Sequence, residues 1–373
     1  MAEWVFWASA CLVAYAYAGY PLLLWVLSSS ERSDPLRPLH QPTVSLIVPA
    51  HNERATIGRK LENTLALRYP AHKMEILIVS DGCSDGTPDV IRRQADGRVQ
   101  LIELPERQGK AGALNAALDR ARHDIVVFTD ASILLDPDAL DALVQPFARP
   151  DVGCVSGEDR IDGPAGEGLY GRYELFLRRL ESRVHSIVGA SGSLYAQRRV
   201  LCAPFEPGLA PDFLSVLRTV ERGYRAVTAP GARGVMAAVA SPGDEFRRKV
   251  RTILRGITTL ARFPHLLNPL ASGAFAFELL SHKLARWMVP FFLCALLGAS
   301  AMLAPQSVWY AAALAAQVGF YGSALAVFAG GRLARSLPVR VSVYFTTVNL
   351  ATLSAWVKYA SGVRQEIWSP SRR

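Results

Sequence analysis

Between residues 43 and 130 the chain alternates short apolar runs with segments whose apolar positions recur every three or four residues. Val44-Ser45-Leu46-Ile47-Val48 has the length and β-branched content of a buried strand, and Pro49 is expected to stop it. A helix follows over about Arg54–Leu67, with Ile57, Leu61 and Leu65 on one face. Glu75–Val79 is a second strand that closes on Ser80-Asp81-Gly82. In the run Cys83-Ser84-Asp85-Gly86-Thr87-Pro88 the glycines suit a tight turn, with Thr87 as N-cap and Pro88 in the first helical turn. Val99–Leu101 is a weaker third strand, and a helix from about Ala111 to Arg122 leads into the apolar run Ile125–Phe128. That run breaks into Thr129-Asp130-Ala131-Ser132, with a helix expected from near Pro137. Strands alternating with helices imply a parallel sheet in an α/β fold.

Outside this region the pattern changes to long uninterrupted apolar stretches. Trp4–Leu27 carries no charge, has aromatic residues near both ends, and is too long for a signal-peptide core. It reads as an uncleaved anchor. Trp287–Ala304 and Trp309–Gly330 are two further spans. Val341–Val357 is a third C-terminal candidate, interrupted by Thr346, Thr347, Asn349 and Thr352. The chain thus divides into an anchor (1–28), a catalytic domain (43–240), amphipathic interface helices (241–286), a transmembrane region (287–360) and a basic tail (361–373).

Composition agrees: half of the 373 residues are hydrophobic, yet the formal charge is +9. Arg32, Arg37, Lys283, Arg286, Arg332, Arg335 and Arg340 flank the spans, which puts 28–286 on the cytoplasmic side of a cell (inner) membrane. Lys358, Arg364, Arg372 and Arg373 belong on the same side, but three full crossings would leave them outside. Either one C-terminal segment is re-entrant or interfacial, or the charge rule fails here. The five cysteines are scattered without metal-ligand spacing, as in a reduced compartment. Nucleic acid is not the expected partner, because the basic residues sit beside apolar spans where anionic lipid is nearer.

The candidate chemistry lies at the strand ends. Glu53, Asp81 and Asp130 each follow a buried strand, the place where open α/β sheets bind ligands. Singly each is explained as a turn or cap residue. Together on one rim they repel unless a cation offsets them, and a hard divalent metal bridging to phosphates would do so. No G-x-G-x-x-G follows the first strand, and no G-x-x-x-x-G-K-[ST] occurs, so neither a dinucleotide oxidoreductase nor a P-loop ATPase is indicated.

The order Val44–Glu53, Asp81-Gly82-Cys83-Ser84-Asp85-Gly86-Thr87, Lys110-Ala111-Gly112-Ala113-Leu114-Asn115 and Thr129-Asp130-Ala131-Ser132 resembles the family 2 inverting glycosyltransferases. The likeness is strong over roughly 44–251, and the flanking spans are similar to those of hyaluronan, chitin and cellulose synthases. It implies a GT-A type, Rossmann-like mixed sheet and a nucleotide-sugar donor, UDP-linked by expectation. It implies that Pro49, Ala50, Asn52, Glu53 and Asp81 line the nucleotide pocket, that Lys110, Arg248 and Arg251 also serve the donor, and that Asp130 holds Mg2+ or Mn2+. Ser132 stands where the family's D-x-D motif has its second aspartate, which removes one metal-binding carboxylate.

Two more segments acquire roles from the resemblance. The stretch Gly189–Tyr195 reads as a loop between two helical stretches, and by the resemblance its Gly189, Ser191 and Gly192 would form an acceptor-side loop. Asp212 would be the general base for the acceptor hydroxyl, and otherwise reads as an N-cap. The basic cluster Glu245–Arg251 suits a helix on a membrane surface as well as a diphosphate site, and both can hold. Processive relatives carry Q-x-x-R-W here, and this chain lacks its Gln and Trp. Transfer of one sugar to a lipid-linked or glycan acceptor therefore stands beside polymer synthesis with translocation. A membrane sensor or transporter with a nucleotide-binding domain is a third reading, resting on the polar Thr346, Thr347 and Asn349.

Overall fold

A computed structural model describes residues 1–28, 40–162, 165–238, 241–328 and 336–364. Most of the Pro-rich linker 34–42, the arginines Arg32, Arg37, Arg332 and Arg335, and the tail beyond Arg364 lie outside the described residues. Eight strands form one sheet in the order β3-β2-β1-β4-β7-β6-β8-β5. They are β1 (Val44–Ala50), β2 (Met74–Asp81), β3 (Val99–Leu104), β4 (Ile125–Thr129), β5 (Leu134–Leu135), β6 (Val152–Asp162), β7 (Leu194–Arg198) and β8 (Arg225–Ala237). The first half, β3-β2-β1-β4, is parallel, as the alternation predicts. The second half is mixed: β7 runs antiparallel to both β4 and β6, while β6 and β8 pair in parallel.

Before the sheet come the apolar helices α1 (Ala2–Ala14) and α2 (Tyr20–Ser28); the helices of the sheet domain are α3 (Ile57–Leu65), α4 (Thr87–Gln94), α5 (Gly109–Leu118), α6 (Ala139–Val144), α7 (Ala165–Val184) and α8 (Pro211–Glu221). Both sheet faces are covered. Leu46, Val48, Ile76, Ile78 and Val127 face one core with Ile57, Leu61, Ile91 and Leu140 from α3, α4 and α6. Ile47, Leu77, Val79, Val126 and Phe128 face the other with α5 and α8. Burial on both sides is why the central strands read as unbroken apolar runs.

Three local expectations change. Pro49 does not end β1: it sits in the strand opposite Val79, while pairing with β4 stops at Ile47. Its missing N–H therefore falls where one side of the strand has no partner. Thr87 is the first residue of α4 rather than its cap; its hydroxyl accepts from the Glu53 N–H at 2.9 Å and donates to Asp85 at 2.6 Å. Leu194 and Tyr195 belong to β7 rather than to a loop between helices.

After the sheet come α9 (Pro242–Leu260), α10 (Pro269–Leu279), α11 (Arg286–Leu303), α12 (Val308–Phe328) and α13 (Leu337–Ala360). A wide π-helical turn, Leu280–Ala285, joins α10 to α11, and another, Tyr15–Gly19, joins α1 to α2. Among the described residues, Ala2–Ser28, Pro269–Leu303 and Val308–Val327 are helices long and apolar enough to cross a membrane. The second is longer than the expected Trp287–Ala304. The polar α13, though 24 residues long, is not among them. A buried polar cluster fastens these helices to the domain. Tyr20 donates to Glu181 at 2.8 Å, His282 bridges Glu181 and Glu174, and Arg286 pairs with Glu174.

Gly82 turns out of β2 with φ +56°, and a β-carbon there would lie 2.5 Å from the Arg107 nitrogen. Gly82→Ala should therefore lower stability by about 1–3 kcal/mol from backbone strain alone, before the clash is added. Thermal unfolding of the full chain checks it; an unchanged midpoint contradicts the assignment.

Candidate active site

The acidic rim forms in part. Glu53, from the loop after β1, and Asp130, directly after β4, line one cavity of about 390 Å³, and Ser132 joins them. Asp81 does not. It is 3% exposed, and its two carboxylate oxygens accept the backbone N–H groups of Gln108 (2.6 Å) and Gly109 (2.9 Å) at the start of α5. The expected three-carboxylate rim is thus two carboxylates; the third is taken up by the positive end of a helix.

Pro49 and Ala50 are buried in the strand, and exposed Asn52 (φ +54°) accepts from the Ser84 N–H at 2.9 Å. None of the three is in the cavity wall. Lys110 is: its Nζ donates to Asp130 Oδ1 at 2.6 Å and to the Gly192 carbonyl at 3.0 Å. One ammonium thereby ties the strand-end carboxylate to the loop 189–193, and the Asp130 N–H bonds the Ser193 carbonyl at 3.1 Å. Gly189 and Gly192 line the cavity; Ser191 is buried behind them and donates to Asp159, itself in the cavity wall, at 2.6 Å. Asp212, in the first turn of α8, stands beside Gly192, whose added β-carbon would lie 3.8 Å from the Asp212 carboxyl carbon.

Arg248 and Arg251 reach this cavity from α9, with Arg255 one turn further along the same face. Arg248 is held by a two-pronged pair with Glu245, both contacts 2.7 Å. Burial, with Arg251 as a like-charged neighbour, holds the Arg255 guanidinium below its ordinary range; burial and Arg248 do the same to Arg251. A row of crowded cations is relieved by a bound polyanion. The sequence reading missed Arg255, Asp159, Arg178 and Lys283. The spacing of Arg248, Arg251 and Arg255 along a helix was a usable signal for the first; the others have no local pattern.

A further group lies under the site. Lys60, from α3, is 1% exposed, and its Nζ donates to Thr129 Oγ1 at 2.9 Å and to the Ile133 carbonyl at 2.8 Å. It braces both sides of the Asp130–Ser132 turn. Burial pushes its ammonium down to about 7, partly offset by Asp130.

The donor set bears on metal binding. Among the described residues no three His, Cys, Asp or Glu side chains gather to hold a metal ion. Asp130 and Ser132 offer one carboxylate and one hydroxyl in the same wall, hard oxygens that fit a magnesium-like ion arriving with a diphosphate.

A mixed sheet with its ligand cavity at the carboxyl ends of the parallel strands, covered by a basic helix and flanked by apolar helices, is a GT-A type arrangement. The family profile "Glycosyl transferase family 2" matches residues 45–193. The poly-beta-1,6-N-acetyl-D-glucosamine synthase of Staphylococcus aureus is 36% identical over 120 residues, 32% of this chain and 29% of that protein. Its counterpart in Staphylococcus epidermidis is 32% identical over a stretch with the same shares. The matched region thus spans less than a third of those synthases. The structure of a mannosyltransferase from Pyrobaculum calidifontis, in complex with GDP-Man and Mn2+, aligns with 96% of this chain and 99% of its own. The two share 30% identity and a TM-score of 0.75. The chain belongs to glycosyltransferase family 2, enzymes that move a sugar from a nucleotide-sugar.

The Lys60 ammonium gives a pH signature. Unfolded lysine keeps its proton to about pH 10.4, whereas buried Lys60 releases it near 7. Between those values the unfolded chain binds more protons, so stability rises with pH. The stability difference between wild type and Lys60→Met should therefore shift in favour of wild type from pH 7 to 10. Parallel denaturation curves across that range would exclude the depressed ammonium.

Proposed function

We propose that this enzyme transfers one sugar, with inversion, from a nucleoside-diphosphate sugar to a hydroxyl of a membrane-associated acceptor, with Asp212 as the base. The observation that carries the reading is that Asp130, Asp212 and the arginine row of α9 share one cavity. Inversion needs a base on one side of the anomeric carbon and a stabilised leaving group on the other. Asp212 and the Gly189–Gly192 loop occupy the acceptor side. Lys110, Arg248, Arg251 and Arg255 hold the diphosphate, and their charge offsets the negative charge gathering there as the glycosidic bond breaks. When Mg2+ or Mn2+ is bound, Asp130 and Ser132 hold it, and it neutralises part of the diphosphate charge. The P. calidifontis enzyme was seen with GDP-Man and Mn2+, which favours the metal and sets a guanosine donor beside the expected UDP-sugar.

The catalytic domain faces the cytoplasm, with Ala2–Ser28 as an anchor and the long C-terminal helices in an inner membrane. Membrane lipids contact those helices and the basic face of α9. Single addition is the preferred outcome because the Q-x-x-R-W element is missing. The match to polymer-forming synthases keeps chain extension as a second outcome, separated by product size: a ladder against one added sugar.

Two substitutions test the roles in purified full-length protein supplied with GDP- and UDP-sugars. Asp212→Asn should lower the transfer rate by roughly 10²–10⁴-fold while donor binding is kept; full turnover removes the proposed base. Lys110→Met breaks the pair with Asp130 and should lower kcat by roughly 10²–10³-fold, as loss of a charge-stabilising donor does. An unchanged kcat would mean that Lys110 is only a structural tie.

A further inference from the structure

The long β6–β8 pair, with α7 packed across it, walls a groove of about 770 Å³ that the donor site does not use. Arg160, Arg172, Arg179 and Arg233 line it, with Leu175 and Val235 as apolar neighbours. Register and helix spacing gather them. Arg233 lies beside Glu158 and Val235 beside Arg160 in the parallel pair. Arg172, Leu175 and Arg179 are three and four residues apart, so they share one face of α7. Arg178, on another face of that helix, lines the donor cavity instead.

The charges of the groove do not balance. Arg179 has a two-pronged pair with buried Glu158, at 2.9 and 2.8 Å. Among the described residues, no carboxylate lies within 4.0 Å of Arg160, Arg172 or Arg233. Arg233 donates its Nε–H to the Pro230 carbonyl at 2.9 Å. Asp159 also lines the groove, but its carboxylate is engaged by the Ser191 hydroxyl. A groove with this excess of positive charge attracts an anion.

Its position narrows the kind of anion. Asp159 and Ile161 line both the groove and the donor cavity, so the two adjoin. Ser191, which holds Asp159, is one residue from Gly192, and Gly192 stands beside Asp212. A ligand lying in the groove therefore has its inner end on the acceptor side of the donor cavity.

We infer that this groove binds an acidic glycan, its carboxylates on Arg160, Arg172 and Arg233, with the terminal sugar directed past Asp159 toward Asp212. The planar guanidinium fork matches a carboxylate in two-point contact. Leu175 and Val235 suit the C–H faces of sugar rings. A lipid headgroup or an acidic peptide would use the charge but not the adjoining donor cavity. This rests on the transferase reading and adds the acceptor's chemical class: a glycan already partly built, carrying uronic-acid-type sugars.

The test titrates full-length protein, in nanodiscs of neutral lipid, with oligogalacturonate, a neutral cello-oligosaccharide of equal length and polyglutamate. Oligogalacturonate should bind at least about tenfold more tightly than the neutral chain, the scale of one charge-assisted contact, and lose most of that preference at high salt. Arg160 and Arg172 are exposed, and Arg160→Glu with Arg172→Glu should remove the preference. Arg59→Glu with Arg93→Glu, the same charge change on α3 and α4, should keep it. Hydrolysis of GDP-Man and UDP-sugars and the unfolding temperature should be unchanged in both double variants. Oligogalacturonate with a photoreactive group at its non-reducing end should label residues between 189 and 213. Equal binding of acidic and neutral chains, equal loss in both double variants, polyglutamate binding as tight as the glycan's, or labelling confined to other segments overturns the inference. So does a groove variant that loses binding to phosphatidylglycerol vesicles while keeping the glycan, which assigns the groove to lipid. Those failures leave donor hydrolysis intact, whereas glycan preference without any donor binding or hydrolysis sinks the transferase reading.

Discussion

The site depends on a buried polar junction between the sheet domain and the apolar helices. Glu174 and Glu181 project from α7; His282 and Arg286 meet them from the long 269–303 helix, and Tyr20 from the N-terminal one. Buried charges cost several kcal/mol each to desolvate, and removing one partner leaves the other stranded. Such a cluster cannot slide by a helical turn without that penalty. It therefore sets the register of both apolar helices on the catalytic domain and places Lys283 beside Phe213.

Charge matching is the second organising constraint. Asp81 and Asp130 have similar sequence settings, each at the end of a buried strand, yet they differ in fate. Both Asp81 carboxylate oxygens accept backbone N–H groups, and the residue is part of the scaffold. Asp130 keeps a side-chain partner, Lys110, and stays at the cavity wall. Beneath it Lys60 braces the turn from within the core. Ser132, in the same wall, thus lies in a cavity rich in cations.

The loop 189–193 brings Asp212, Lys283 and Lys110 together. The Gly192 carbonyl accepts from Lys110. A β-carbon at Gly192 would make only an ordinary contact with the Asp212 carboxyl, 3.8 Å away, whereas one at Gly189 would come within 3.3 Å of the Lys283 ammonium, which would have to shift. Ser191, in the middle of the same loop, is spent on Asp159.

The parallel half of the sheet was legible in the chain alone, because strands buried on both faces are predominantly apolar and the turns between them polar. The sequence also singled out Asp130 and, by resemblance, Asp212, which both line the cavity, and it marked the apolar helices through length. The antiparallel β7, the long β6–β8 pair and the gathering of Arg178, Asp159, Arg255 and Lys283 in one cavity wall depend on long-range folding. Those residues are drawn from four distant segments, and no short-range periodicity records that they will face one another. Asp81 shows the converse: its sequence setting matched that of a ligand-binding acid, and only the folded position of the α5 N-terminus turned it into a cap.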